Sequence, residues 1–272
     1  YDVHEDVPAD VHDKEWISPL LRKPVAVMAD YIERACAHCM TRVVAATPNI
    51  AKRFRSEKVT LVQNFPLLSE MGDSSESDVA YNQRRKRFVY IGSITEIRGA
   101  RSMVNALEIL SASSEARLAL GGEIWPESLD RELRSMVPWE RVDWLGWCDR
   151  RKMMEELGKA RAGLVLFQPA RNHVESQPNK LFEYMSAGIP VIASDFPLWR
   201  GIIDAAKCGV LVDPSVPADI AAAMKWILDN PEEAAEMGRR GRDAVRNKYN
   251  WEKEAEALIA MYAALTDEPG GR

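Results

Sequence analysis

From residue 87 onward, short apolar runs alternate with longer amphipathic stretches, and this alternation fixes the class of fold open to the chain. Strands are read at 88–91, 117–120, 142–145, 163–167, 190–193 and 209–212. Helical patterns fill the intervals near 99–111, 127–136, 149–160, 178–187 and 197–204, and three more follow at 217–229, 231–247 and 250–265. Strands separated by helices of that length pair in parallel, because a parallel return needs a crossover and not a hairpin turn. The expected fold is therefore α/β, with a doubly wound sheet in this part of the chain. Ligands of such sheets bind beyond the carboxyl ends of the strands.

One of those ends carries two carboxylates, in the run Glu175-Ser-Gln-Pro178-Asn179-Lys180-Leu181-Phe-Glu183-Tyr-Met-Ser-Ala-Gly188-Ile-Pro190. Proline is tolerated only in the first turn of a helix, so a helix begins near Pro178 or Asn179. Gly188 suits its C-terminal end, and Pro190 cannot continue it. Glu175 then sits on the loop, and Glu183 about one turn inside the helix. The N–H groups of Asn179, Lys180 and Leu181 are expected to point out of the helix start, where the macrodipole favours a phosphate or diphosphate. Carboxylates on either side can accept hydrogen bonds from ribose and sugar hydroxyls. The competing reading is two surface glutamates flanking an ordinary helix. A second strand-to-helix loop, Gly92-Ser93-Ile-Thr-Glu-Ile-Arg98-Gly99, has glycines for close backbone approach and a cation near a helix start. A solvated helix-start arginine is the plain alternative for Arg98.

Composition narrows the function. The chain has 272 residues, 46% of them hydrophobic, and a formal net charge of −5, which argues against a dedicated nucleic-acid binder. No apolar run is long enough for a transmembrane helix, and the start shows no signal-peptide pattern. The four cysteines, Cys36, Cys39, Cys148 and Cys208, are scattered as in a reducing cytosol. Cys36 and Cys39 read as an incidental pair on a helix, without a second ligand pair for a metal. Residues 69–86 change character, from Ser/Glu/Asp-rich to Arg84-Arg-Lys-Arg87, and read as an interdomain linker. The basic run offers a contact to anionic lipid or phosphate, against the simpler reading of a solvated linker end. Before the linker lie an irregular stretch, a helix near 22–40 and strands at 42–46 and 60–63, too few for a closed domain.

The Glu-x7-Glu spacing, the helix ending in Ala-Gly-x-Pro and the strand after it resemble the donor site of retaining GT-B glycosyltransferases of family 4. The resemblance implies two Rossmann-like domains. Residues 1–68 would be part of the N-terminal, acceptor-side domain, lacking its first strands, and 69–86 a linker. Residues 87–247 would be the donor-binding domain, and 248–272 a helix crossing back. It implies a nucleoside diphosphate sugar as donor, a sugar or lipid-linked acceptor, no metal or other cofactor, and a cytoplasmic protein, at the inner face of a membrane for a lipid acceptor. Glu175 would touch the transferred sugar and Glu183 the ribose. Gly92, Ser93, Arg98, Asn179, Lys180 and Leu181 would line the diphosphate site. His4, after the strand end Asp2-Val3, matches a family histidine facing the donor sugar. The chain departs from the pattern twice. Gln177-Pro178-Asn179 replaces a glycine-rich tripeptide, and Ser93 stands where an arginine often stands, with Lys180 as its replacement. No Asp-x-Asp pair is present to bridge a metal to the diphosphate. A sugar-nucleotide epimerase and a non-catalytic nucleotide-sugar-binding module are the alternatives. Trp125, Trp144 and Trp147 read as core or rim packing, against a base-stacking role. Arg171 and His173, on the loop before Glu175, are within reach of a sugar.

Overall fold

The computed structural model describes residues 1–14, 16–71 and 80–267. The chain divides into two compact units. One comprises Tyr1–Leu68, Arg171–Gln177 and Tyr249–Arg272; the other comprises Ser69–Ala170 and Pro178–Lys248.

The first unit begins with β1 (Asp2–Val3), α1 (Val7–Asp13), α2 (Pro19–Cys39), β2 (Val43–Ala45), α3 (Pro48–Ala51) and β3 (Val59–Leu61). Its three strands are parallel, in the order β1-β2-β3. Val3, Val43 and Ala45 pack with Ala37 and Ile50 as its core. Helix α1 falls where the sequence reads as irregular. Asp6 caps it by accepting from the Ala9 N–H at 3.2 Å, and Pro8 occupies its first turn. Arg53 gathers Asp6, Asp30 and Glu33 around one guanidinium, which gives Asp6 a structural role.

The second unit runs β4 (Arg87–Ile91), α4 (Ala100–Ser111), β5 (Arg117–Gly121), α5 (Glu127–Ser135), β6 (Val142–Gly146), α6 (Arg150–Gly158) and β7 (Ala162–Val165). The single turn α7 (Arg171–Val174) belongs to the first unit. The second then resumes with α8 (Asn179–Ser186), β8 (Val191–Ser194), α9 (Pro197–Ala206), β9 (Gly209–Val212), α10 (Pro217–Asp229) and α11 (Pro231–Asn247). All six strands are parallel, in the order β6-β5-β4-β7-β8-β9. The chain winds outward from β4 to β6, then returns to the other side of β4 through β7. The strand order therefore reverses between β4 and β7, where a doubly wound sheet opens a ligand crevice. On one face, Phe88, Tyr90, Leu118, Leu120 and Leu164 are fully buried in the same cluster as residues of α4 and α10.

Helix α8 is seated by close contacts. A Cβ on Gly163 of β7 would lie 2.1 Å from the Tyr184 ring, so only glycine lets α8 approach. The Tyr184 hydroxyl accepts from the Ile91 N–H of β4 at 3.0 Å, in a fully buried setting. Behind α8, α11 presents the buried stripe Ala234, Gly238 and Gly241. A Cβ at Gly238 would lie 2.2 Å from the Gly188 carbonyl oxygen.

Residues 72–79 of the expected linker lie outside the described residues. The segment that follows is not a solvated end. Arg84 is 8% exposed and donates to the Ala160 carbonyl at 3.2 Å. Arg161, equally buried, donates to the carbonyls of Arg84 and Asn82, and both guanidiniums lie over the Tyr81 ring at 5.3 and 5.2 Å. A run of cations reads as solvated from composition, but a backbone carbonyl and an aromatic face accommodate Arg84 in the fold, beside Arg161. Arg85 and Lys86 remain exposed.

Helix α12 (Trp251–Asp267) completes the first unit. The Gln63 N–H donates to Glu254 at 2.7 Å, the Leu68 N–H to Glu252 at 3.0 Å, and the Trp251 N–H to the Pro66 carbonyl at 2.9 Å. Among the described residues no helix is long and apolar enough to cross a membrane.

Tyr184→Phe removes the acceptor of a buried N–H, so it should destabilise the second unit by about 1–3 kcal/mol in urea unfolding. An unchanged midpoint would mean that the Ile91–Tyr184 contact does not hold α8.

Candidate active site

Two loops meet at the carboxyl ends of β4 and β7. Gly92 leaves β4 with φ +134°, a conformation that favours glycine, and its N–H donates to the Gly121 carbonyl at 2.8 Å. Lys180, from the first turn of α8, reaches back to it. A Cβ at position 92 would lie 3.1 Å from the Lys180 Nζ. That ammonium stands 5.1 Å from the Tyr90 ring centroid and 5.4 Å from that of Phe167, while the Arg98 guanidinium lies 5.7 Å from the same Phe167 ring. The Tyr90 hydroxyl donates to the Ser93 carbonyl at 2.7 Å, which ties the loop to the aromatic floor. Gly92, Ser93, Arg98 and Lys180 are thus brought together from the two loops.

Two cations over one aromatic floor alter the chemistry of the lysine. Burial, and then the neighbouring Arg98 charge, push the Lys180 ammonium down to about 8, against the opposing pull of Glu183. Burial likewise pushes the Tyr90 hydroxyl up to about 12, so it remains a neutral donor.

Glu183 is 18% exposed and accepts from the Arg150 Nη1 at 2.8 Å. Arg150 opens α6, whose start is capped by Asp149 accepting from the Lys152 N–H at 2.7 Å. Sequence reasoning did not single out Arg150. The available signal was its position at a helix start directly after a strand, on the same sheet edge as α8.

The start of α8 departs from expectation at one residue. The Leu181 N–H donates to the Pro178 carbonyl at 3.1 Å, and the Leu181 side chain is fully buried. A tight first turn takes that amide, so it is not a phosphate donor in this conformation. Asn179 is exposed, and the N-cap residue Pro178 has no side-chain acceptor with which to cap the helix.

His4 and Glu175 belong to the first unit. His4 is exposed, its Nε2 is 3.1 Å from the Asp2 carboxylate, and it lines a cavity of about 340 Å³ with Asn64, Trp251 and Met261. Glu175 is exposed just past α7, and Ser176 donates from its N–H and Oγ to the His173 carbonyl at 3.1 and 2.9 Å. The three tryptophans read as packing are outside the core. Trp125 is 65% exposed, Trp147 80% and Trp144 48%, the last stacked by Arg134 at 4.3 Å. Cys36 and Cys39 are free on α2, and among the described residues no group of three or more His, Cys, Asp or Glu could hold a metal.

Comparison with known proteins bears on the family and the fold. Residues 73–244, more than half of the chain, match the family Glycosyl transferases group 1. The D-rhamnosyltransferase WbpZ of Pseudomonas aeruginosa is 23% identical over 230 residues, covering 78% of this chain and 56% of that protein. The chain spans about half the length of the curated relatives it matches. Sucrose-phosphate synthase from Thermosynechococcus elongatus superposes with a TM-score of 0.73 at 21% identity, covering 97% of this chain and 67% of that one. Anabaena Alr3699/HepE in complex with UDP also gives 0.73, at 11% identity, covering 97% and 79%. The fold is that of GT-B glycosyltransferases, and the chain belongs to the group 1 glycosyl transferases.

Proposed function

We propose that the full-length protein is a retaining glycosyltransferase. It would move a hexose-type sugar from a nucleoside diphosphate donor to a sugar or lipid-linked acceptor in polysaccharide or glycolipid assembly. The observation that carries this reading is the convergence of Lys180 and Arg98 beside Gly92, at the edge of the sheet where the strand order reverses. Two cations held close together and partly desolvated are suited to an anion that brings more than one negative charge. A diphosphate meets that requirement, and the Alr3699/HepE structure, of the same fold, contains UDP.

In the proposed reaction the bond from the anomeric carbon to the diphosphate breaks, and the acceptor oxygen bonds on the same face. The acceptor proton passes to the departing phosphate oxygen. Lys180 and Arg98 stabilise the charge that develops on the leaving diphosphate, so this step draws on no metal ion or other cofactor. Glu183 accepts from ribose hydroxyls. Glu175 and His4 contact the transferred sugar, on the strength of the family resemblance. The setting is the cytoplasm, with peripheral contact to the inner face of a membrane when the acceptor is a lipid.

Protonated Lys180 is the binding form, so affinity for UDP or GDP should fall as pH rises through about 8. Binding near that pH should also take up a proton, because the diphosphate favours the ammonium. Calorimetry in buffers of different ionisation enthalpy measures both, and Lys180→Ala should abolish the pH dependence. A flat profile in the unmodified protein would contradict the assignment.

Glu183→Ala should raise the nucleotide Kd roughly 10–100-fold, the worth of a hydrogen bond to a charged group. Glu175→Ala in the full-length protein should instead lower sugar transfer with little change in nucleotide affinity. If both variants bind and turn over normally, the site residues are misassigned.

A further inference from the structure

We infer that Arg150 is the positioning residue for Glu183, holding its carboxylate in the orientation that accepts a ribose hydroxyl. The inference rests on the nucleotide reading above and adds a residue to it. The contact is a charge-assisted hydrogen bond, Arg150 Nη1 to Glu183 Oε1 at 2.8 Å. It is made to one carboxylate oxygen, which leaves Oε2 to accept from a ligand.

The arginine is held at its base. The Asp149 cap fixes the first turn of α6, and Lys152 donates to the Leu145 carbonyl at 2.7 Å, securing that turn to the end of β6. The Gly122 N–H donates to the Gly146 carbonyl at 2.7 Å, linking the end of β6 to the residue just past β5. The guanidinium therefore projects from a fixed point on the carboxyl edge of the sheet toward α8, which Tyr184 fixes on the same sheet.

A stabilising role explains the pair poorly. Arg150 is 37% exposed and Glu183 18%, and ion pairs with that access to water add little to stability. Preorganisation explains it better. A glutamate has three side-chain torsions, and ordering such a side chain on binding lowers affinity by up to about tenfold. An arginine that orders it beforehand removes that loss.

The test is calorimetric titration of the whole chain with UDP and GDP, and with their 2′,3′-dideoxy analogues. Arg150→Ala should weaken the ribonucleotide by up to about tenfold and leave the dideoxy analogue unchanged. Arg150→Lys should recover part of the loss. Equal weakening of both ligands would mean a direct phosphate contact or a general structural role, and would overturn the inference. So would unchanged binding of both, or tighter ribonucleotide binding, which would make the pair a competitor of the ribose. If the unmodified chain binds neither nucleotide, the nucleotide reading itself falls and the inference with it.

Discussion

The site depends on how closely α8 sits on the sheet. Gly163 has no side chain to hold the helix away, so the Tyr184 ring occupies that space and its hydroxyl accepts from the Ile91 N–H. One residue of α8 thereby contacts β7 and bonds to β4, the two strands that flank the reversal of strand order. Lys180 and Glu183 lie within one turn of Tyr184, so their positions follow from this contact. The glycines of α11 secure the other side of the helix. Small residues at these positions make a close-packed helix possible, and the packing makes the charged groups precise in space.

The charge arrangement follows from that seating. A lysine beside an arginine, over aromatic rings and out of much of the water, is unfavourable for the protein alone. Burial and Arg98 both drive Lys180 toward its neutral form, and Glu183 opposes them. Local conflicts of this kind concentrate at functional sites, where a ligand can resolve them. An anion between the loops would neutralise both cations at once. Glu183 is tied to Arg150, whose guanidinium offsets its charge on that side of the site.

Much of this was legible in the sequence because it rests on local patterns. The strands and helices of the second unit follow hydrophobic periodicity with Gly and Pro punctuation, and Pro178 and Gly188 mark the ends of α8. Lys180 and Arg98 were legible from their places at helix starts. What was not legible is tertiary. Arg84 reads as solvated because composition does not reveal the carbonyl and the aromatic ring waiting for it. Helix α1 is one short element whose cap and proline resemble a turn. The Leu181 amide was misjudged because a tight first turn is a matter of a single hydrogen bond. Arg150 was missed because its partner lies on another helix, and no spacing rule joins α6 to α8.

The central claim, that the two loops at the β4 and β7 ends form a nucleoside diphosphate site, is tested most directly by amide hydrogen exchange. Exchange would be followed in the absence and presence of saturating UDP or GDP. The account predicts slowed exchange in Gly92–Gly99 and in the first turns of α8, Asn179–Tyr184, with the rest of the sheet unchanged. Bound nucleotide with protection confined to other segments would contradict it.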